Sequence, residues 1–501
     1  MSPPRRRNRF VLVDPSFVSK GGDKWQYAVL FSKSAAACGY EFVLLTHRDA
    51  PDIDAIDGRP VDQRRIFTAA FFEHSEIVSR HAQDAAAWAK RGGAPEPGPG
   101  ARLPVDAAGV AAPFNRDDFA LALAAELRAL DLRPGDHLFF HTMTYGMLES
   151  LCETTASLDL ERPIDVDAHF LFHFGIEAPD ARTFLDRYYQ FSHVPSLIRR
   201  LRTGSPFARL HFLATNPPLQ DEASRLLDVP VGLFVGLTDL ANYVEANGGM
   251  DATTRIRRRV HAAQARRELV VSIRASDLQG FDKAAVRGAI AALRRFGFDV
   301  TFRVFFNADS LPLLRDLARA MEEARPKFVD VSDNAEYIQQ LTQTSLVLLT
   351  YDPLRYAKRV SAVLHDCSVL GVPALVPAGT TLAEAGQYAR IFVYERSDDI
   401  AQTLLYAARA LSRDAGLSLE KAEVARRIYA ADVVTRIVGN PVLSLRVDRV
   451  GPIANVIMPM WGRVGSSHAI EAQIEFLLSR GYFVQQVLVL EKPAEKLESI
   501  P

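Results

Sequence analysis

Arg359 to Pro377 reads "RVSAVLHDCSVLGVPALVP". The spacing predicts a helix that stops at Gly371 and turns past Pro373 into a short apolar strand. Val360, Val363, Leu364, Cys367 and Leu370 share one face of that helix. Asp366 falls roughly 40° beyond Leu370 at about 100° per residue, on the rim of the stripe expected to be buried. A carboxylate placed there needs hydrogen-bond donors, because its desolvation is costly.

The same step from helix to strand recurs outward in both directions. Ahead of it come "ELVVSIRA", "KAAVRGAIAALRRFG", "FDVTFRVFF", "LPLLRDLARAMEEA", "KFVDVS", "NAEYIQQLTQ" and "SLVLLTYD"; behind it come "RIFVYE" and "DIAQTLLYAARALSRDAG". Short β-branched or aromatic runs alternate with amphipathic ones, which implies a parallel sheet covered by helices. The first half repeats the rhythm: "RFVLVDP", a helix ending at Gly39, "EFVLLT", "HLFFHT", "AHFLFHF", "RLHFLAT" and "VPVGLFVG". The expected fold class is therefore α/β, with two tandem Rossmann-like domains facing a cleft.

The expected boundaries are residues 1–244 for the first domain, 245–266 for a polar, basic linker, and 267–430 for the second domain. A connector follows over 431–450. The Pro-, Gly- and Ala-rich stretch 89–114 reads as a long loop inside the first domain. Residues 451–501 run strand, glycine-containing loop, helix, Gly481, strand, and repeat the layout of residues 9–46. Such self-similarity signals duplication. The segment is expected to begin a second copy of the fold, cut short; an extension packed on the rest is the alternative.

Bulk properties narrow the field. A chain of 501 residues needs more than one core. With 48% hydrophobic and 24% charged residues it has an ordinary globular composition. A formal net charge of −1 offers no global attraction to nucleic acid. Arg5 to Arg7 and Arg255 to Arg259 read as solvated clusters, with weak attraction to an anionic membrane surface as the second reading. Cys38, Cys152 and Cys367 form neither a disulfide pattern nor a zinc pattern, which fits a reducing cytoplasm. No apolar run approaches the length of a membrane span. A cytoplasmic protein is expected, with peripheral attachment to an inner membrane left open.

Parallel α/β sheets bind ligands at the carboxyl ends of their strands. Three segments point there. Gly21 and Gly22 follow the first strand, where glycine lets backbone approach an anionic or polyhydroxyl group; a tight turn without a ligand is the alternative. The loop lacks the G-x-G-x-x-G spacing, so a dinucleotide fingerprint is absent. Arg274 ends the first strand of the second half, where a guanidinium can clamp a diphosphate. In the third segment a pair of ribose hydroxyls would satisfy Asp366, and so would an internal Arg or Lys. Ser361 and Ala362 open its helix with free N–H groups, and Thr380 and Thr381 follow in a loop. Asp165 and Asp167 in "IDVDA" have the spacing of a metal-binding Asp-x-Asp, but chance spacing is the better reading and no metal is expected. His141, His169 and His173 end or flank apolar strands.

Together the three segments resemble the retaining GT-B glycosyltransferases, especially the family-4-like group that builds bacterial surface polysaccharides. The resemblance spans roughly residues 9–430. Gly21-Gly22 match that family's glycine loop. Arg274 matches its phosphate arginine, while Gln279 stands where it has a lysine. Asp366 and Gly371-Val372-Pro373 match the second acid and the Gly-x-Pro of its Glu-x7-Glu motif; Lys358 stands at the first acid. The resemblance implies metal-independent transfer of a sugar, with retention, from a nucleotide-diphosphate donor to a glycan or lipid-linked acceptor. It implies no cofactor beyond that donor. Arg274 would stabilise the leaving diphosphate, with Lys283, Lys358 or Arg359 standing in for the missing lysine. His173 would contact the sugar or acceptor. A sugar-nucleotide 2-epimerase and a GT-B-like binding module without catalysis are the alternatives.

Overall fold

The computed structural model describes residues 7–18, 22–68, 116–143, 145–158, 160, 162–173, 194–234, 252–279, 281–413, 416–429, 433–439, 445–446, 453–460, 476–477 and 483–491. The chain divides into two compact units. The first comprises Met1–Ser19, Phe31–Phe234 and Val434–Pro501; the second comprises Lys20–Leu30 and Val235–Val433.

The first unit is built on strands β1 (Arg9–Asp14), β2 (Glu41–His47), β5 (Asp62–Phe67), β6 (His137–Phe140), β7 (Ile164–Phe172), β8 (Phe207–Ala214) and β9 (Val231–Leu233). Strands β3 (Ala55–Ile56) and β4 (Arg59–Pro60) form a small hairpin between β2 and β5. The order runs β8-β7-β6-β1-β2-β5, with β9 against β8, and all these pairs are parallel. The strand order reverses between β1 and β6, and an open parallel sheet binds its ligand outside the carboxyl ends at such a point. The central strands β1 and β6 are apolar on both faces: Val11, Leu12 and Val13 are fully buried, as are Phe139 and Phe140.

The second unit repeats the plan with β10 (Glu268–Arg274), β11 (Asp299–Phe306), β12 (Lys327–Asp330), β13 (Leu346–Leu348), β14 (Ala374–Pro377) and β15 (Ile391–Tyr394). The order is β12-β11-β10-β13-β14-β15 and every pair is parallel. Its reversal lies between β10 and β13, so Arg274 closes a strand at the switch point. Residues 245–266 contain the helix Ala252–Arg266, which packs within this unit against β10 and the helices Ile400–Arg413 and Gly416–Tyr429.

The opening stretch forms the helix Ala362–Val369 and then β14. The helix ends where Gly371 takes φ +61°, a left-handed position that costs glycine nothing. The Gly371 N–H then reaches the Ser368 carbonyl, and the Val372 N–H reaches Cys367. The amphipathic expectation is corrected. Residues Val363 to Val369 are all buried, so the helix has no wet face beyond Ala362. The helix Gly416–Tyr429 packs against it, and Ala425 joins the apolar cluster of Val363, Leu364 and Cys367.

Near the chain end, β16 (Leu445–Arg446) pairs antiparallel with β8 in the first unit. Strands β17 (Ile453–Met460) and β18 (Phe483–Glu491) pair in parallel, and β18 lies against the helices Tyr145–Leu158 and Val194–Gly204. Parallel pairing requires a crossover between the two strands, of which Phe476 and Leu477 are described, as helix. Residues 89–114 lie outside the described residues.

Candidate functional site

Chemistry gathers at the carboxyl ends of the second unit's sheet. Arg274, the last residue of β10, is half-buried. Among the described residues it makes no hydrogen bond and no ion pair within 4.0 Å. Burial works against its charge, but the Asp277 carboxyl, with Tyr351, Tyr337 and Tyr356 after it, holds the guanidinium above its ordinary value. The Asp277 carboxyl sits in the first turn after β10, on the short helix Ala275–Gln279.

Asp366 is 6% exposed. The Tyr337 hydroxyl, from the helix Asn334–Thr342, donates to Asp366 Oδ2 at 3.1 Å. Burial, then the Asp366 charge, push the Tyr337 phenol far above its ordinary range, so it remains a donor. Arg274 and Asp366 thus both act on Tyr337. The end of the helix that carries Asp366 is held by two arginines. Arg259 Nη2 donates to the Leu370 carbonyl at 2.9 Å, and Arg426 Nε donates to Val369 at 3.1 Å.

The start of that helix is organised by Ser361. Its Oγ accepts the Leu364 N–H at 3.1 Å and lies 3.1 Å from the Tyr351 hydroxyl. Tyr351 stacks on Tyr356 with ring centroids 4.1 Å apart and 13° between planes. Thr381 Oγ1 donates to the Arg359 carbonyl and, at 3.4 Å, to Tyr356; Thr380 Oγ1 donates to Pro377 at 2.8 Å. The structure therefore draws Arg274, Arg359, Ser361, Ala362, Asp366, Thr380 and Thr381 to one edge of one sheet. The threonine hydroxyls hold the loop's own backbone.

Lys283 opens the next helix beside its cap Asp282, whose carboxylate accepts the N–H groups of Ala284 and Ala285. Gly22 is the first residue of the helix Gly22–Ala37, and Gly21 lies outside the described residues. Sequence reasoning missed Tyr337, Tyr351, Tyr356 and Asp277. The "YDPLRY" run was the signal for two of them: it places two tyrosines just past a strand end.

The first unit has its own cluster at its switch point. Asp14 ends β1 fully buried, and its Oδ1 accepts the Ser16 N–H at 3.0 Å. Its Oδ2 lies 3.1 Å from His141 Nδ1, just past β6. The His141 ring meets His173, just past β7, edge-on at 4.7 Å. His169 belongs elsewhere. It stacks on His211 at 4.5 Å, and its Nε2 lies 3.2 Å from His137 Nδ1. Asp165 and Asp167 are inside β7 rather than ahead of it. Arg209 binds both, and His211 Nε2 lies 2.8 Å from Asp167 Oδ1. Ion pairing thus consumes the Asp-x-Asp. No group of three or more His, Cys, Asp or Glu among the described residues could hold a metal ion. Nor is any described helix long and apolar enough to cross a membrane.

No family model matches the sequence, and no curated protein matches it. Solved structures do match the fold. The trehalose-6-phosphate protein of E. coli bound with UDP-2-fluoro glucose aligns over 87% of this chain and 100% of its own, with 12% identity and a TM-score of 0.54. The N-terminal domain of Candida albicans trehalose-6-phosphate phosphatase aligns over 86% and 96%, with 12% identity and a TM-score of 0.51. Anabaena HepE in complex with UDP aligns over 85% and 96%, with 12% identity and a TM-score of 0.50. At such identity the likeness establishes architecture: this chain has the fold of the GT-B proteins, with two Rossmann-like domains.

Proposed function

We propose that this protein is a nucleotide-sugar glycosyltransferase whose second unit binds the donor. One observation carries this reading: Arg274 closes β10 at the switch point, half-buried and with no hydrogen-bond or ion-pair partner within 4.0 Å among the described residues. A desolvated guanidinium in that position is suited to an anion supplied from outside, and a diphosphate accepts two of its parallel hydrogen bonds. Asp366, Ser361, Ala362, Arg359 and the Tyr351–Tyr356 stack frame the same edge, with Lys283 at the start of the following helix. Asp366 would meet the ribose, and Thr380 and Thr381 would shape the loop around the donor. The UDP and UDP-sugar bound to proteins of the same architecture support the donor class.

In this reading, transfer to a glycan or lipid-linked acceptor retains configuration and needs no metal, because cationic side chains offset the leaving diphosphate. Gly21 and Gly22 approach the ligand by backbone. His173 serves the acceptor from the first unit, where the Asp14–His141 pair fixes its surroundings. Work on bacterial surface polysaccharide, in the cytoplasm or at the inner membrane, belongs to the same proposal.

A second reading, a binding module without transfer, is favoured by two observations. Tyr337 already occupies Asp366 Oδ2, and Gln279 stands in place of a phosphate lysine. A screen of UDP-, GDP-, ADP- and TDP-sugars, read by released nucleoside diphosphate with and without sugar acceptors, separates the readings. Transfer predicts release that needs an acceptor and disappears in Arg274→Ala and Asp366→Ala proteins of native circular dichroism. Release with donor alone, yielding an altered sugar, would indicate an epimerase. Calorimetric binding of a nucleoside diphosphate without release would indicate the module. Wild-type turnover in both variants would refute the site.

A further inference from the structure

We propose that Asp277 meets the donor diphosphate as the neutral acid, donating a hydrogen bond to a phosphate oxygen that Arg274 also holds, so that donor binding takes up a proton. This rests on the donor-site reading above and adds to it a second ligand-touching residue and a pH dependence.

The argument begins with unmet bonding. Asp277 Oδ1 accepts only the hydroxyl of its neighbour Ser276, at 3.2 Å. Oδ2 is shielded from water and has no hydrogen-bond partner among the described residues. The hydroxyls around it are spent elsewhere. Tyr394 donates to the Leu349 carbonyl at 3.1 Å, Tyr351 pairs with Ser361, and Tyr337 donates to Asp366. Thr350 reaches the Asp277 backbone carbonyl at 2.8 Å, not its carboxyl. Arg274 is also unspent, and it lies more than 4.0 Å from any carboxylate oxygen among the described residues. A guanidinium without an acceptor and a carboxyl oxygen without a donor thus sit within one turn of each other, close enough for each to act on the other's charge.

An ionised diphosphate offers acceptors only. It satisfies Arg274 but would repel an ionised Asp277 and leave Oδ2 unbonded. Protonating Asp277 removes both faults, because the O–H then donates to phosphate. Burial has already pushed this carboxyl up to about 6, with Arg274 and the Ser276 hydrogen bond opposing. A phosphate on Arg274 cancels that opposing charge and adds its own, raising the carboxyl further. Among the described residues no second cation acts on Asp277, and Tyr351 and Tyr394 are held above their ordinary range, by burial and then by Asp277 itself. The described charged residues of the helix packed against Ala275–Gln279, namely Arg315, Asp316 and Arg319, are exposed to water.

The test titrates UDP into the full chain at pH 7 in buffers of different ionisation enthalpy, which counts protons. Wild-type protein should take up about 0.5 to 0.9 of a proton more than Asp277→Asn, whose amide is a permanent neutral donor. The variant serves to subtract protons exchanged by UDP's own terminal phosphate. Wild-type affinity should fall up to about tenfold from pH 7 to 8 relative to the variant, which should bind UDP at least as well as wild type at pH 8. Equal proton counts in the two proteins, or binding lost in Asp277→Asn at both pH values, overturns this inference and leaves the donor site standing. The wild-type affinity profile tests the same point without the variant. Failure of UDP to bind at any pH overturns the donor-site reading and the inference together.

Discussion

The Tyr337 hydroxyl donates to the Asp366 carboxylate at 3.1 Å, joining two neighbouring helices of the second unit through a half-buried tyrosine and a buried acid. The Tyr337 ring also stands edge-on to Phe305 of β11, 6.5 Å away at 83°, so its direction is fixed by packing. Removing the hydroxyl alone leaves a buried carboxylate short of a donor. Tyr337→Phe should cost about 1–3 kcal/mol of stability, read as a lower urea midpoint. In an Asp366→Asn background the same change should cost less, giving a measurable coupling energy. An unchanged midpoint in the single variant would mean that Asp366 does not depend on Tyr337.

Arg274 predicts the opposite pattern. It lacks a hydrogen-bond or ion-pair partner among the described residues, so folding gains little from its charge. Arg274→Met should leave the urea midpoint unchanged or slightly lowered, because the field of Asp277 that offsets the desolvation of the cation is lost with the charge while a side chain of similar length remains. UDP affinity should fall by at least about tenfold, the loss of one charge-assisted contact. A variant that unfolds easily, yet binds UDP as before, would assign Arg274 to the scaffold instead.

Arg259 holds the site from behind. It reaches from the helix Ala252–Arg266 to the carbonyls of Thr344, at 2.8 Å, and Leu370, at 2.9 Å. Burial pulls its guanidinium down to about 10, still charged at neutral pH. Arg259→Leu would strand both carbonyls, at about 1–3 kcal/mol each. Thermal melts should show the loss, and hydrogen exchange at Cys367 to Leu370 should quicken first. Exchange unchanged over that turn would show that Arg426 suffices to hold it.

Much of this was legible in advance, for a physical reason. Strands such as "FVLVDP" and helices such as "KAAVRGAIAALRR" carry local periodicity, and a parallel sheet needs the crossovers that the alternation announces. Gly371 was legible because only a left-handed residue stops that helix cleanly. Asp366 was located at the right helix but given the wrong surroundings. The wheel assumes one buried face, whereas every side chain from Val363 to Val369 is buried, the result of long-range packing with no local signature. For the same reason Tyr337, 29 residues before Asp366, could not be named as its partner. Asp165 and Asp167 show the converse limit: their spacing reads as chance, but nothing local could name Arg209 and His211, some forty residues later, as what they bind.

The histidine stack of the first unit predicts an acid response distinct from that of the donor site. His169, 3% exposed, lies between His137 and His211, and burial followed by the charges of those two rings drives it well below its ordinary value. His137 is lowered in the same direction, again by burial first. Both are therefore neutral in the folded protein at pH values where the unfolded chain, near 6.5, binds protons. The unfolded state holds more protons, so stability rises with pH and is lost as pH falls below about 6.5, at about 1.4 kcal/mol per pH unit for each such histidine. Asp167 adds its loss only at lower pH. Burial alone would raise it, but its bonds to His211 and Arg209 hold it below the usual carboxylate range, so that contribution fades as pH falls below about 4. Hydrogen exchange at the amides of β6, β7 and β8 between pH 7 and 5 reads the first unit alone, once corrected for the intrinsic pH dependence of exchange. His169→Phe keeps a stacking ring but cannot titrate, so it should flatten the slope by about 1.4 kcal/mol per pH unit. A slope that the substitution leaves unchanged would mean that His169 is already protonated in the folded state, which the stack of neighbouring imidazoles argues against.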